Sequence, residues 1–145
     1  MTMRSVPFIL IGVLWGSPSF AYPSMDQRNE AFQDVNTAAA DGNRTAAADG
    51  LISIIEDPDW HIFNGEAHAR LAVMLQEFDL PYSALVAYTK ALEADPEGVG
   101  SEAGKAVELA DKVGDQAILE PVFASNLGLE VDDNTRSRMA YLAAR

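Results

Sequence analysis

Apolar side chains recur at spacings of three and four along most of the chain, the signature of helices with one buried side. The clearest run lies between Gly65 and Gly98. Ala67, Leu71, Met74, Leu75 and Phe78 mark one helical side, and Ala84, Leu85, Tyr88, Ala91 and Leu92 mark a second. Between them Phe78-Asp79-Leu80-Pro81 ends one helix and starts the next. Proline lacks a backbone donor, disfavours helical geometry in the residue before it, and fits the first turn of a helix, where that donor has no partner. Asp95-Pro96 stops the second helix, with Gly98 available for the exit turn.

The pattern repeats less sharply on either side. Ala31, Phe32, Val35, Ala38 and Ala39 predict a helix over 24–40 with Ser24 as its cap, broken by Asp41-Gly42-Asn43. Ala47, Leu51, Ile54 and Ile55 predict a second over 44–56, ended by Asp57-Pro58. Aligned with the central pair, Val35 falls on Ala72, Ala47 on Ala84, Leu51 on Tyr88 and Ile54 on Ala91, with a short insertion at 59–64. Trp60, Ile62 and Phe63 in that insertion are expected to tuck into a small cluster; left exposed they would form a binding patch.

Downstream, a shift of 34 residues places Ala106 on Ala72, Leu109 on Leu75, Ile118 on Ala84 and Val122 on Tyr88, with Gly114-Asp115 at the turn. Pro121 falls inside the helix predicted over 115–127, which requires a kink or a start delayed to Glu120-Pro121, and Gly128 closes it. Asp132-Asp133-Asn134 caps a last helix over 135–145 with Met139, Ala140, Leu142 and Ala143 on its apolar side.

The segment Gly65–Gly98 resembles a tetratricopeptide repeat, the 34-residue helix-turn-helix unit with a W-x2-L-G-x2-Y, A-x3-F, P pattern. Leu71 and Ala72 stand at the Leu-Gly pair, Ala84 and Tyr88 at the A-x3-F pair, and Pro96 at the closing proline. His68 replaces the tryptophan and Leu75 the tyrosine, so the first helix is the less typical one. Small residues at Ala72, Ala84 and Ala91 let two helix backbones approach closely while Leu71, Leu75 and Tyr88 fill the remaining space, a device open to any helical hairpin. On this reading Ala84→Leu costs about 1–3 kcal/mol by overpacking.

The resemblance implies an all-α fold, a right-handed α-solenoid of about three hairpins (units about 24–61, 65–98 and 99–131) with a capping helix over 132–145. It also implies a concave surface, lined by the first helix of each hairpin, that binds a peptide or extended protein segment. Here that surface would present Glu66, Ala69, Arg70, Val73, Gln76 and Glu77 from the middle unit, and Ala103, Val107, Ala110 and Asp111 from the third. It lacks the Lys and Arg clamp with which some relatives hold a C-terminal carboxylate. A surface Glu66→Gln change there is expected to leave stability within about 0.5 kcal/mol.

Residues 1–21 read as a secretory signal peptide: Arg4 supplies the positive start, Val6 to Trp15 the apolar run, and Ser19-Phe20-Ala21 a small-x-small cleavage site. The apolar run is short against the roughly 20 residues of a membrane span. The expected mature chain, 22–145, is then periplasmic or secreted, with no membrane insertion after cleavage. The chain has no cysteine, so neither lipid attachment at the cleavage site nor a disulfide is available and the core alone holds the fold. A domain of this size buries roughly two-thirds of its unfolded surface.

Charge narrows the partners. The chain carries 22 acidic and 10 basic side chains, and the leader takes one of the basic ones with it. Binding to nucleic acid or an anionic membrane, which depends on Lys and Arg neutralising phosphate, is disfavoured. The dispersed acids serve solubility or face a basic partner. Raw material for catalysis is thin. His61 and His68 with Glu66 between them could ligate a metal only if the loop folded back. The pairs Asp57 and Asp59, Glu93 and Asp95, and Asp132 and Asp133 fall at helix ends and turns, where capping explains them. No phosphate-binding glycine loop, calcium loop or nucleophile elbow is present.

The sequence therefore predicts an exported adaptor that binds a protein and has no catalytic residue, cofactor or metal. The alternative is a stabilising accessory subunit docked permanently in an envelope complex. A hydrolase or metal-binding protein is the weakest reading.

Overall fold

A computed structural model describes residues 22–126 and 131–144. The segment 1–21 expected to be a leader, Gly128 and Arg145 lie outside the described residues. Within them the chain forms seven α-helices and no strand: α1 (Met25–Ala40), α2 (Arg44–Glu56), α3 (Asn64–Glu77), α4 (Pro81–Ala94), α5 (Ala103–Val113), α6 (Glu120–Ser125) and α7 (Asp133–Ala143). Short 3-10 turns at Pro58–Phe63, Gly100–Glu102 and Ala117–Leu119 lead into α3, α5 and α6.

Local chemistry sets most helix ends. Ser24 and Gln27 form a reciprocal capping box on α1: the Ser24 hydroxyl accepts from the Gln27 N–H at 3.2 Å, and the Gln27 side chain accepts from the Ser24 N–H at 2.8 Å. Asn43 caps α2 through the Ala46 N–H at 3.2 Å. Asp132 caps α7, accepting from the N–H groups of Asn134 and Thr135 at 3.0 Å each. Gly114 ends α5 at φ 77, in the left-handed region where a side chain would be strained. Asp79 takes the same conformation, φ 56, at the turn into α4, with Pro81 in that helix's first turn. Pro121 resolves into the delayed start: the 3-10 turn carries the chain to Glu120, and the proline occupies the beginning of α6.

Helices α3 and α4 form an antiparallel hairpin whose open end is closed by Asp95. A Cβ on Gly65 would lie 2.5 Å from the Asp95 Cβ and close to its backbone, so that position demands glycine, whereas one on Gly98 would meet the Asp95 carboxylate and force it to move. Asp95 Oδ1 accepts from the Gly98 N–H at 2.9 Å, completing the turn. Ala72, Ala84 and Ala91 are wholly buried along this hairpin, and Ala84→Leu retains its expected cost of about 1–3 kcal/mol, measured as a fall in thermal or denaturant midpoint.

Two apolar cores result. One joins Phe32 and Val35 of α1, Ala47, Leu51 and Ile54 of α2, and Ala67 and Met74 of α3. The other joins Ala72 of α3 to α4, α5, α6 and α7 through Leu85, Tyr88, Leu92, Val107, Phe123 and Met139, among others. Helix α3 is thus the common wall. Trp60 and Phe63 pack against the first core with ring centroids 5.9 Å apart, whereas Ile62 between them is 48% exposed.

Candidate functional site

The side-chain cluster between α1 and α3 is built around one phenyl ring. Arg28, Phe32 and Asn36 lie four residues apart on α1, and Glu66 and Arg70 lie four apart on α3, so each set forms a row on its helix. Glu66 accepts from both arginines: Arg28 Nη2 donates to its Oε2, and Arg70 Nε and Nη2 donate to Oε1 at 3.1 and 2.7 Å. Arg70 Nη1 donates to Asn36 Oδ1 at 2.9 Å. Both guanidiniums lie over Phe32, Arg70 at 4.5 Å and Arg28 at 5.2 Å from the ring centroid. The ring is buried, so its face meets the cations in a poorly hydrated setting that strengthens the attraction.

Two hollows flank this cluster. One of about 410 Å³, between α1, α2 and α3, is lined by residues that include Asn36, Arg44, Leu51, Arg70, Val73 and Glu77. The other, about 230 Å³, runs from Glu66, Ala69, Arg70 and Val73 to the loop residues Gly98, Ser101 and Glu102. Arg70 and Val73 separate them, and Val73 is 40% exposed. Arg44 faces Glu77 across the larger hollow at 3.6 Å.

The expected surface set therefore divides. Glu66, Ala69, Arg70, Val73 and Glu77 border the two hollows. Gln76 is exposed, but its amide donates to the Tyr88 hydroxyl at 2.9 Å, so it serves the α3–α4 hairpin. The third unit does not join them. Val107 is 3% exposed, and Ala103 and Ala110 are wholly buried: all three belong to the core, not to an open face.

The physical reason is α7, which packs over α5 and brings Met139 and Leu142 into the same core. A Cβ on Gly104 would stand 3.4 Å from Thr135 Oγ1, which marks the close approach. Asp111 stays exposed but is bound to Arg138 of α7 and accepts from Gln116 at 2.6 Å, and these bonds hold its carboxyl below the usual range. Arg28, Phe32, Asn36 and Arg44 were not among the expected residues. The spacing of four on α1 was the available signal.

Glu66 carries more than a surface position implies. With its side chain 28% exposed and two arginines sharing it, Glu66→Gln is expected to cost about 1–2 kcal/mol in chemical denaturation, against less than about 0.5 for the exposed Glu108→Gln.

Neither histidine joins this cluster. His61 is exposed, its Nδ1 3.0 Å from the Pro58 carbonyl and its ring edge-on to Tyr22. His68 is partly buried, and burial, aided by Lys90, lowers its pKa below 6.5 while Glu93 opposes. The folded state then prefers the neutral ring, so stability is complete above the unfolded value and declines as pH falls through 6.5. Melting temperature should fall between about pH 7.5 and 5.5, and His68→Gln should flatten that slope.

Among the described residues there is no grouping of three or more metal-ligating side chains, and no helix long and apolar enough to cross a membrane. No family model, curated protein or solved structure matches this chain.

Proposed function

We propose that the protein is an exported, non-catalytic docking module, built as a short solenoid of tetratricopeptide-like hairpins, that holds an extended segment of another protein along the inner side of α1 and α3. The observation that carries this reading is the pair of hollows meeting at Arg70 and the exposed Val73. An extended chain lying across that ridge would find apolar contact at Val73 and Ala39 and hydrogen-bonding groups at Asn36, Ser101 and Glu102. The binding region is shorter than three equivalent hairpins would supply, because α7 occupies the corresponding side of α5.

A photo-reactive amino acid at Val73 tests it in the native envelope fraction. A discrete crosslinked protein, abolished by Arg70→Glu and missing when the probe sits at the exposed Ala124, supports the reading. Equal labelling from both positions rejects it.

The accessory-subunit alternative has one observation in its favour: Phe78, Leu80 and Tyr82 at the α3–α4 turn are 38, 47 and 53% exposed. A crosslink obtained from Leu80 and not from Val73 would select it.

A further inference from the structure

A second surface lies on the first hairpin, where α1 and α2 enclose a hollow of about 340 Å³ with Ala31, Val35, Ile54 and Trp60 as apolar lining and Asp34 and Asp57 among its polar groups. Asn36, through which α1 bonds to Arg70, is two residues from Asp34, so the two side chains leave the helix on opposite sides. A Cβ on Gly50 would meet Val35 Cγ2 at 3.0 Å, so the helices nearly touch beneath the hollow and give it an apolar floor.

Its rim is acidic and unneutralised. Glu30 stands one turn before Asp34 on α1, and Asp49 one turn before Ser53, which lines the hollow on α2. Among the described residues none of Glu30, Asp34, Asp49 and Asp57 enters an ion pair. Residues 22–63 carry eight acidic side chains against two arginines and no lysine. Arg28 is bound to Glu66 and Arg44 faces Glu77, so neither arginine serves the rim.

Floor and rim together select the occupant. Asp49 and Asp57 lie about 12 Å apart along α2, a distance that one small cation does not span and a peptide with basic side chains one to two turns apart does. Nucleic acid and anionic lipid are repelled. So is a second copy, which has the same 22 acidic against 10 basic side chains.

We infer that the α1–α2 hollow takes a basic amphipathic segment of another polypeptide, with a large apolar side chain seated against Trp60 and Ile54 and lysines or arginines on either side of it facing Asp34 and Asp57. The cluster around Phe32 has no part in this contact. The inference therefore stands apart from the docking reading.

Trp60, the single tryptophan after residue 21, reports the hollow directly through its emission. The probe is a synthetic helical peptide with leucines three and four apart and lysines elsewhere, and two control peptides replace the leucines by serine or the lysines by glutamate. With the leucine and lysine peptide, Trp60 emission is expected to shift to the blue and saturate, and each control to bind at least about tenfold more weakly. Asp34→Arg and Ser53→Arg each weaken binding by about tenfold or more, because they set a like charge against the peptide. Glu108→Arg on α5, which changes the net charge as much as Asp34→Arg does, leaves it within about twofold. All three positions are exposed, so the fold is retained. Unmoved Trp60 emission, equal binding of the leucine-free peptide, or equal weakening by Glu108→Arg would each overturn the inference: the first leaves the hollow unused, and the others reduce the binding to overall charge.

Discussion

Phe123→Ala will destabilise the protein by about 3–5 kcal/mol, read from the denaturant midpoint at unchanged slope. The ring is wholly buried, and it sits on α6, a helix of six residues preceded only by a 3-10 turn. A helix that short has no stability of its own in water, so packing alone keeps it in place. Leu119, Val122 and Phe123 are the side chains through which it is held, and α7 in turn packs on α6. Truncating the largest of the three leaves a cavity in the larger core and loosens both helices. Phe32 offers the contrast: it is as buried, but two guanidiniums lie over it, so its removal disturbs the arginine cluster as well as the core.

The second large effect compares two valines related by the 34-residue shift. Val73→Asp should change stability by less than about 0.5 kcal/mol, whereas Val107→Asp should cost about 3–5, because it places an uncompensated charge in a core. Val73 is 40% exposed and Val107 3%. Equal effects in a melting experiment would mean that α7 does not cover α5 in solution. Near-complete unfolding by Val107→Asp with little change at Val73 would place the open surface on α1 and α3.

That pair also shows where reading the sequence succeeds and where it stops. Helix ends were legible because each depends on a residue acting on its immediate neighbours: Ser24 with Gln27, Asn43 with Ala46, Pro81, Gly114 and Asp132 all work within one turn. Ala72, Ala84 and Ala91 were legible as close-packing positions because their size and spacing suit only a contact between helices. Nothing local separates Val73 from Val107, which share residue type, helix register and neighbouring pattern. What separates them is the seating of a helix some 30 residues further on, fixed by Met139 and Leu142 in three dimensions. The arginine cluster was missed for a related reason. Arg28, Phe32 and Asn36 gain meaning only when α3 sets Glu66 and Arg70 beside them.

The occupancy of those arginines bears on what kind of ligand the proposed docking surface would favour. Glu66 already satisfies both guanidiniums, and Asn36 takes a further donor of Arg70. An incoming acidic group must displace this incumbent carboxylate, exchanging one ionic bond for another of similar strength and gaining only the difference. Selectivity for acidic ligands is thereby muted. If a segment docks there as proposed, its affinity comes from apolar area laid against Val73, and a salt titration of binding would show a shallow slope.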